Sequence, residues 1–457
     1  MRKSLLLFFV SLTILSQAQN VQDQTSIKQI YDEALLHGQS YEMLTELCTK
    51  IGARLSGSPG AAAAVEWSRH VMEKYDFDSV WLQPVMVPHW VRGEKEIARV
   101  INSKKMGTIN LSVCALGNSV GTGPEGVSAK IVEVKSWDEL KQLGKAVQGN
   151  IIFFNRPMDA TQVHTFAAYG GAVDQRANGA SEAAKLGAVA VIVRSMAVNI
   201  EDYPHTGSLR YADGVKKIPA VAVSTKHAEL LSKLLKEEKE LQVYIETHCE
   251  MLDDAPSFNV VGQINGGEYK EEIIDIGGHL DSWDLAQGAH DDGAGCVQSI
   301  EVLRLFKELG IKPKRTIRAV MFMNEENGLR GGTKYAEIAK AKNEKHIAAI
   351  ESDEGGFTPR GFTMTADETT KNKIKSWKPL LESYGLTDWN NPGGGADIGP
   401  LGSQGTALIG YLPDSQRYFD YHHTPVDTID KVSPRELELG AASMAALVFL
   451  IDKYGLK

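Results

Sequence analysis

Residues 273–281 read IIDIGGHLD, an apolar segment that ends in two glycines, a histidine and an aspartate. Residues 288–309 read GAHDDGAGCVQSIEVLRLFKEL, in which an acidic turn precedes a long amphipathic segment. The first pattern is typical of a buried strand, and the second of a loop followed by a helix from about residue 293 to 309. Gly310 and Pro313 are expected to end that helix. A strand, a polar turn and a helix in this order predict an α/β fold.

The same alternation continues towards the C-terminus. Three more strand-like segments, separated by helical ones, occupy residues 317–323, 346–351 and 406–411. The last helix starts with the capping-box sequence Ser433-Pro434-Arg435-Glu436, and its apolar stretch at 437–451 is expected in the core. Alternating strands and helices predict a mixed, mostly parallel sheet with helices on both faces.

A central part of the chain has a different pattern, with short apolar strands punctuated by glycine and proline. The strands are expected at residues 129–134, 150–154, 188–193 and 219–223. We interpret residues 117–251 as an inserted β-rich module, so that residues 19–116 and 252–457 together form one discontinuous domain. Histidine and carboxylate residues do not cluster in the sequence of the insert, which favours a structural role for it.

The N-terminus predicts a secretory signal peptide. Met1-Arg2-Lys3 precedes an apolar run from Leu5 to Leu15 and a small-residue site that ends at Ala18. The run is too short to cross a bilayer, which takes roughly 20 apolar residues. We therefore expect residues 1–18 to be removed, no membrane span, and a secreted or periplasmic protein.

Charge and cysteine content exclude several other classes. The 457-residue chain has a net charge of −9, and its Lys and Arg residues are scattered, which argues against nucleic-acid binding. The four cysteines are far apart and none forms a C-x-x-C pair, so a zinc finger or a thioredoxin-like site is unsupported. We expect the cysteines to be free and partly buried.

Polar residues with metal-binding side chains follow each predicted strand or precede the long helix. Because the carboxyl ends of parallel strands meet at one edge of a sheet, these residues are expected to converge. Histidines combined with several carboxylates suit Zn²⁺ better than Ca²⁺. The five fragments are His279-Leu280-Asp281, His290-Asp291-Asp292-Gly293, Glu325-Glu326, Asp353-Glu354 and His422-His423-Thr424-Pro425-Val426-Asp427-Thr428.

The order of these fragments resembles the co-catalytic zinc exopeptidases. That family has His-x-Asp, Asp-Asp-Gly, Glu-Glu, Asp and His-Thr-x-x-Asp-Thr in the same sequence. The resemblance implies two Zn²⁺ per chain, a hydroxide that bridges them, and Glu325 as the general base. It also implies that Asp281 orients the imidazole of the first histidine. The implied metal ligands are His279 and Asp353 for one ion, Glu326 and His423 for the other, and Asp291 for both.

Further motifs are similar to one branch of that family, whose members are homodimers that cleave dipeptides with free termini. They are Arg54-Leu55-Ser56-Gly57, Pro88-His89-Trp90-Val91-Arg92-Gly93, Pro204-His205-Thr206-Gly207, Asp213-Gly214-Val215 and His279-Leu280-Asp281-Ser282-Trp283-Asp284. The resemblance covers nearly the whole mature chain, and it implies that the insert is a protease-associated domain.

Three alternatives stay open at this point. A broad aminopeptidase acting on longer peptides would share every motif, and only a peptide panel would separate it. A non-catalytic binding protein on the same scaffold would be expected to lack metal ligands, and a glutaminyl cyclase would bind one zinc ion. Metal content and peptide hydrolysis would distinguish these last two from the predicted peptidase.

Overall fold

The computed structural model describes residues 21–457. The predicted signal peptide, residues 1–18, therefore lies outside the described residues. The helices are residues 21–37 (α1), Ser40–Glu46 (α2), Pro59–Lys74 (α3), Trp137–Leu143 (α4), Thr165–Gly170 (α5), Asp174–Lys185 (α6), Thr225–Glu237 (α7), Ala294–Glu308 (α8), Arg330–Lys342 (α9), Glu368–Lys375 (α10), Lys378–Leu381 (α11), Tyr418–Tyr421 (α12) and Pro434–Tyr454 (α13).

The strands form two sheets. They are Ser79–Val91 (β1), Ile97–Ser103 (β2), Gly107–Asn110 (β3), Val113–Ala115 (β4), Val127–Val134 (β5), Ile151–Phe154 (β6), Ala190–Arg194 (β7), Ala220–Val223 (β8), Gln242–Glu246 (β9), Glu250–Ile264 (β10), Tyr269–His279 (β11), Arg315–Phe322 (β12), Lys345–Glu351 (β13), Pro359–Thr365 (β14) and Ala407–Pro413 (β15). Single turns of other helix types lie at Leu47–Ile51, Gly144–Val147, Ala289–Gly293, Glu382–Tyr384, Gly399–Gln404 and Ile429–Lys431.

The first sheet has seven strands in the order β1-β10-β12-β11-β13-β15-β14. Its four central strands, β12, β11, β13 and β15, run parallel, and the outer pairings are antiparallel. The mixed α/β fold expected from the sequence is confirmed, including the four strands predicted around the central motifs. Their shared direction brings the four carboxyl ends to one edge of the sheet.

Helices cover both faces of this sheet, as predicted. Along β12, Ile317, Ala319 and Met321 belong to the core that contains α8 and α13, whereas Val320 and Phe322 pack in the core beneath α9. This alternation follows from the two-residue repeat of a strand. Both faces of the strand are consequently apolar.

The helix predicted from residues 293 to 309 is α8, and Gly310 follows it with φ +63°, a conformation that glycine adopts without strain. At the N-terminus of α13, the Ser433 side chain accepts a hydrogen bond from the Glu436 amide, as the capping box predicts. The apolar stretch of α13 is buried in the core. Across residues 21–457, the helices are all too short or too polar to span a bilayer.

The second sheet has eight strands in the order β3-β2-β9-β5-β6-β7-β8-β4. It contains all four strands predicted for the insert, but it also includes β2, β3 and β4, which precede residue 117. The insert boundary at residue 117 is therefore wrong by about twenty residues. The chain leaves the first sheet after Val91 and returns at Glu250, and these two residues pair side by side.

The insert also contains more helix than a β-rich module was expected to have. Strands β5, β6, β7 and β8 are parallel, and α4, α6 and α7 are part of the same module. Ile152 and Phe154 face one core, while Ile151 and Phe153 face another on the opposite side of the sheet. The continuous apolar runs that predicted these strands are thus explained by burial on both faces.

The insert packs against the edge of the first sheet that carries the motifs. The ring of Phe166 on α5 lies 5.1 Å from Tyr418, and Tyr169 lies 5.0 Å from Phe419 on α12. Phe357, beyond the end of β13, belongs to the same cluster. The insert therefore forms one wall of the space above the strand ends.

All four cysteines are free and buried.

Candidate metal centre

The five predicted ligands come from five different segments that meet at one edge of the first sheet. His279 is the last residue of β11, Asp353 follows β13 by two residues, and Glu326 follows β12 by four. Asp291 lies in the turn before α8, and His423 follows α12. The parallel strands bring them together although 144 positions separate His279 from His423 in the sequence numbering.

Asp291 lies between the two histidines. Its Oδ1 atom is 3.1 Å from His279 Nε2, and its Oδ2 atom is 3.2 Å from His423 Nε2. On the first side, His279 Nε2 is also 3.2 Å from Asp353 Oδ1. On the second, His423 Nε2 is 3.1 Å from Glu326 Oε2. One carboxylate thus joins two groups of ligands, each with one imidazole and one further acid.

Burial and charge at this point suit a metal cation. The Glu326 Oε1 atom is buried and makes no hydrogen bond within the described chain. A buried carboxylate oxygen without a partner is costly, and a cation removes that cost. His279, Asp291 and Glu326 lie close enough together to hold one ion. The donor set of imidazoles and carboxylates therefore fits Zn²⁺.

The pKa values in the centre follow from the same crowding of acids. Burial, together with the neighbouring Asp291 carboxylate, raises the pKa of Glu326 to about 7. Burial alone would lower the pKa of His423, but the carboxylates of Glu326 and Asp291 raise it to about 10. Each imidazole faces at least two acids, so the protein alone leaves an excess of negative charge here.

Glu325 lies beside the ligands without belonging to any of the groups that could hold an ion. It is partly exposed and lines the cavity above Asp291. Burial raises the pKa of its carboxyl well above the usual value, and the nearby acids Asp353 and Glu326 raise it further. A carboxyl group in this position can exchange a proton with a molecule in the cavity.

Asp281 does not have the role that was predicted for its carboxylate. His279 Nδ1 donates to the Asp281 backbone carbonyl at 2.9 Å, whereas the Asp281 carboxylate is 3.9 Å away from it. The carboxylate instead accepts the backbone amides of Asn324, Glu325 and Glu326 at 2.7, 3.0 and 3.3 Å. Asp281 therefore fixes the turn that carries Glu325 and Glu326, because three N–H donors point at it.

Asp427 is a residue of the site whose role the sequence did not reveal. Its Oδ1 accepts the His290 amide at 2.8 Å, and its Oδ2 accepts the Asp291 amide at 3.2 Å. Burial is the main cause that raises its pKa to about 7. The position was visible as the acid of His-Thr-x-x-Asp-Thr, but spacing alone does not show which backbone amides a carboxylate holds.

Asp292, the neighbour of Asp291 across a cis peptide bond, was also missed. Its Oδ2 accepts the His279 amide at 2.9 Å, and its Oδ1 accepts the Gly295 amide at 3.0 Å. Asp292 thus links the end of β11 to the first turn of α8.

The two adjacent histidines are placed differently. His423 Nε2 approaches both Asp291 and Glu326, while His422 Nε2 is 3.8 Å from Asp291 Oδ2. The His422 ring stacks on His423 with 3.5 Å between centroids. Burial lowers the pKa of His422 well below its usual value, and the neighbouring His423 adds to this effect. The shorter contacts belong to the histidine that the resemblance selects.

The insert holds His423 through its backbone. His423 Nδ1 donates to the Thr206 carbonyl at 3.3 Å, and the Thr206 amide donates to the His423 carbonyl at 2.9 Å. His423 itself has φ +62°, which is unusual for a residue other than glycine. This pair of bonds between the insert and the ligand was not foreseen, because residues 217 positions apart share no sequence signal.

A cavity of about 550 Å³ opens above the centre. One side is formed by Asp291, Glu325, Glu326, Asp353 and His423, and the opposite side by residues of the insert. The insert contributes Asn118, Phe166, Tyr169, Arg176, Ser208, Leu209 and Arg210.

The central strands of this α/β sheet are parallel, and their ends bring two imidazoles and several acids together beneath a cavity. This arrangement defines a metal-dependent hydrolase. The sequence profile of Peptidase family M28 matches residues 259–448, which include all five predicted ligands. The chain belongs to this family, and it is a zinc-dependent peptidase.

Curated relatives match almost the whole chain. Carboxypeptidase Q of Bos taurus is 35% identical over 92% of this chain and 86% of its own length, and carboxypeptidase Q of Mus musculus is 35% identical over 90% and 85%. The crystal structure of a Peptidase M28 precursor from Shewanella amazonensis superposes with a TM-score of 0.90 at 32% identity, covering 96% of this chain and 99% of that one. A zinc aminopeptidase from Bacillus subtilis shares the fold, with a TM-score of 0.65 at 19% identity over 90% and 94% of the two chains.

Proposed function

We propose that this zinc peptidase is a two-metal exopeptidase that hydrolyses dipeptides and other short peptides with free termini. The observation that carries the proposal is the position of Asp291, whose two oxygens face His279 on one side and His423 on the other. A carboxylate with a separate imidazole at each oxygen is suited to two cations. A site for one cation would need only one of these groups.

The residues present would supply most of the charge balance. His279 and Asp353 would hold one zinc ion, Glu326 and His423 the other, and Asp291 would contact both. The three acids bring three negative charges against the four positive charges of two Zn²⁺, so little net charge would be left buried. When bound, two zinc ions activate a water molecule and polarise the scissile carbonyl.

The proton steps belong to Glu325. Its carboxyl lines the cavity next to the ligands and is free to accept the proton of the attacking water and then donate it to the leaving amine. General acid–base help of this kind contributes roughly 10²–10⁴ in rate. Asp281 keeps Glu325 in place by accepting its amide hydrogen.

The preference for short substrates is supported by the insert. Its side chains close the cavity opposite the metal centre, so a long peptide would need this wall to move. The name of these relatives, carboxypeptidase Q, favours action at a chain end. Export through the predicted signal peptide and assembly as a homodimer belong to the same proposal; N-terminal sequencing of the exported protein and light scattering would test them.

Zinc content and substrate range test the proposal together. We expect two zinc ions per chain in the wild type and no more than one in Asp291→Asn, measured by plasma mass spectrometry after dialysis. Asp452→Asn is the control, since Asp452 lies at the opposite end of β12, where it accepts the Lys314 and Arg315 amides. We also expect free dipeptides to be cleaved faster than pentapeptides or N-blocked dipeptides. One zinc ion in the wild type, or equal rates on all these peptides, would contradict the proposal.

A further inference from the structure

Trp283 is a buried residue beside the metal centre that the proposed function leaves without a role. It belongs to the motif that begins at His279, and it is only 4% exposed. Its indole Nε1 atom is buried and has no hydrogen-bond partner within residues 21–457. Burying an N–H group without an acceptor costs free energy, because the group gives up its hydrogen bond to water. An acceptor next to this ring would remove that cost.

The side chain of Trp283 is fixed by its surroundings. The next residue, Asp284, accepts two hydrogen bonds from the Arg92 guanidinium, at 2.8 and 2.6 Å. The ring of Trp90 meets the Trp283 ring edge to face, with 6.2 Å between the centroids. On the side of the insert, a side chain at Gly117 would collide with the indole. These contacts leave the ring little room to rotate towards another acceptor.

A small cavity next to the ring contains an acceptor that also lacks a partner. The cavity has a volume of about 10 Å³, and Trp283 lines it together with the ligands Asp291, Glu326 and His423 and with Asp427. Glu326 places its Oε2 atom 3.1 Å from His423 Nε2. Its other oxygen, Oε1, is buried and makes no hydrogen bond within the described chain. A residue with an unpaired donor and a residue with an unpaired acceptor therefore border the same space.

This space is just large enough for one water molecule. A cavity holds a water when it offers roughly 10–15 Å³ and two to four polar partners. Here the indole N–H of Trp283 is a donor, and Glu326 Oε1 is an acceptor. Thr424 also lines the cavity, and its hydroxyl oxygen is a further acceptor. A water that accepts from Trp283 and donates to Glu326 would satisfy both unpaired groups.

We propose that Trp283 positions the metal ligand Glu326 by donating its indole N–H to one buried water molecule, which donates in turn to Glu326 Oε1. This role rests on the proposed function, in which Glu326 and His423 would hold one of two zinc ions. The water fixes the plane of the carboxylate and leaves Oε2 for the ion. Outer partners that orient a ligand in this way contribute about 10- to 100-fold in metal affinity. Trp283 contacts the ion only through Glu326, so it is a positioning residue.

Zinc affinity tests this role without any turnover. Trp283→Phe removes the N–H and keeps an aromatic ring, and the two zinc dissociation constants are measured by competition with a fluorescent chelator. We expect one ion to bind about 10- to 100-fold more weakly in this variant, while the affinity for the other ion is unchanged. Trp90→Phe is the matched control, because Trp90 lies in the same apolar cluster but donates its N–H to the Ser119 carbonyl at 2.8 Å. Both of its zinc affinities should equal those of the wild type.

An equal loss for both ions, or the same loss in Trp90→Phe, would mean a general packing role for the ring and overturn the inference. A high-resolution crystal structure of the zinc-loaded wild type tests the water itself, whether or not the variant folds. We expect one water within about 3.2 Å of both Trp283 Nε1 and Glu326 Oε1. A zinc ion in that position, or a dry cavity, would contradict the proposed contact.

The same titrations separate the role of Trp283 from the proposed function. A single zinc ion in the wild type, bound more weakly in Trp283→Phe, would contradict the two-metal function and support the positioning role. Two zinc ions with unchanged affinities in Trp283→Phe would do the reverse.

Discussion

Replacing Asp281 by asparagine separates the role seen in the structure from the role predicted for it. The Oδ1 atom of an asparagine can keep the bonds from the Asn324 and Glu325 amides. Its NH₂ group, however, would face the Glu326 amide, which now donates to Oδ2 at 3.3 Å. One charge-assisted hydrogen bond is lost and replaced by two opposed donors, which costs about 2 kcal/mol. If the whole of this 2 kcal/mol is lost from the stabilisation of the transition state, kcat/KM falls about 30-fold.

The matched control is Asp452→Asn at the other end of the sheet. Asp452 is also buried and accepts two backbone amides, from Arg315 at 2.7 Å and Lys314 at 3.1 Å. We expect both variants to lose a few degrees in Tm, because each loses one such bond. Only Asp281→Asn should lose kcat/KM, with zinc content near that of the wild type. Wild-type kcat/KM in Asp281→Asn, or an equal loss in Asp452→Asn, would refute the role assigned to the carboxylate.

Three further outcomes are expected. Glu325→Gln should keep its bound zinc but lose about 10²–10⁴ in kcat, because the amide cannot take a proton; a wild-type kcat would exclude it as the base. His423→Ala should lose one zinc ion by mass spectrometry and His422→Ala should keep both, and the reverse result would exchange their roles. Burial alone would lower the pKa of His346, but the carboxylates of Asp275 and Glu344 raise it to about 9. The proton on His346 therefore stabilises the fold fully below pH 6.5, and this contribution is lost as the pH rises through about 9. The wild type should therefore lose about 3 kcal/mol more unfolding free energy than His346→Gln between pH 6.5 and 9.5 in urea titrations, and equal losses would contradict this.

The positions of the predicted ligands His279, Glu326 and Asp353 at one edge of the sheet could be read from the sequence, because each ends or follows a strand that the sequence marks clearly. His279 ends an apolar run, and Glu326 follows another, so the topology of a parallel sheet is enough to bring them together. The same reasoning predicted α8 and α13, since their boundaries carry glycine and capping signals.

Contacts from the insert could not be predicted in this way. Thr206 holds His423 through backbone atoms, which leave no trace in residue type. Arg176 has an ordinary helical context in the sequence, and only the folded chain shows that it faces the cavity. The role of Asp281 was misjudged because the residue is two positions from His279. Its carboxylate instead accepts hydrogen bonds from the backbone amides of residues 324–326, which follow the neighbouring strand β12.

The start of the insert was misplaced for a related reason. Strands β2, β3 and β4 are short; β2 largely alternates between buried and exposed residues, β3 is mostly exposed and β4 mostly buried, so they share no common local pattern. Which sheet they join depends on long-range pairing, such as that of Val100 with Val243, and not on local pattern.

Anomalous diffraction at the zinc absorption edge from crystals of the zinc-loaded protein tests the central claim most directly. We expect two peaks roughly 3.5–4 Å apart, one beside His279 and Asp353 and the other beside His423 and Glu326, with the Asp291 carboxylate between them. A single peak in fully loaded crystals, or two peaks of which one lies out of reach of Asp291, would contradict the two-metal account.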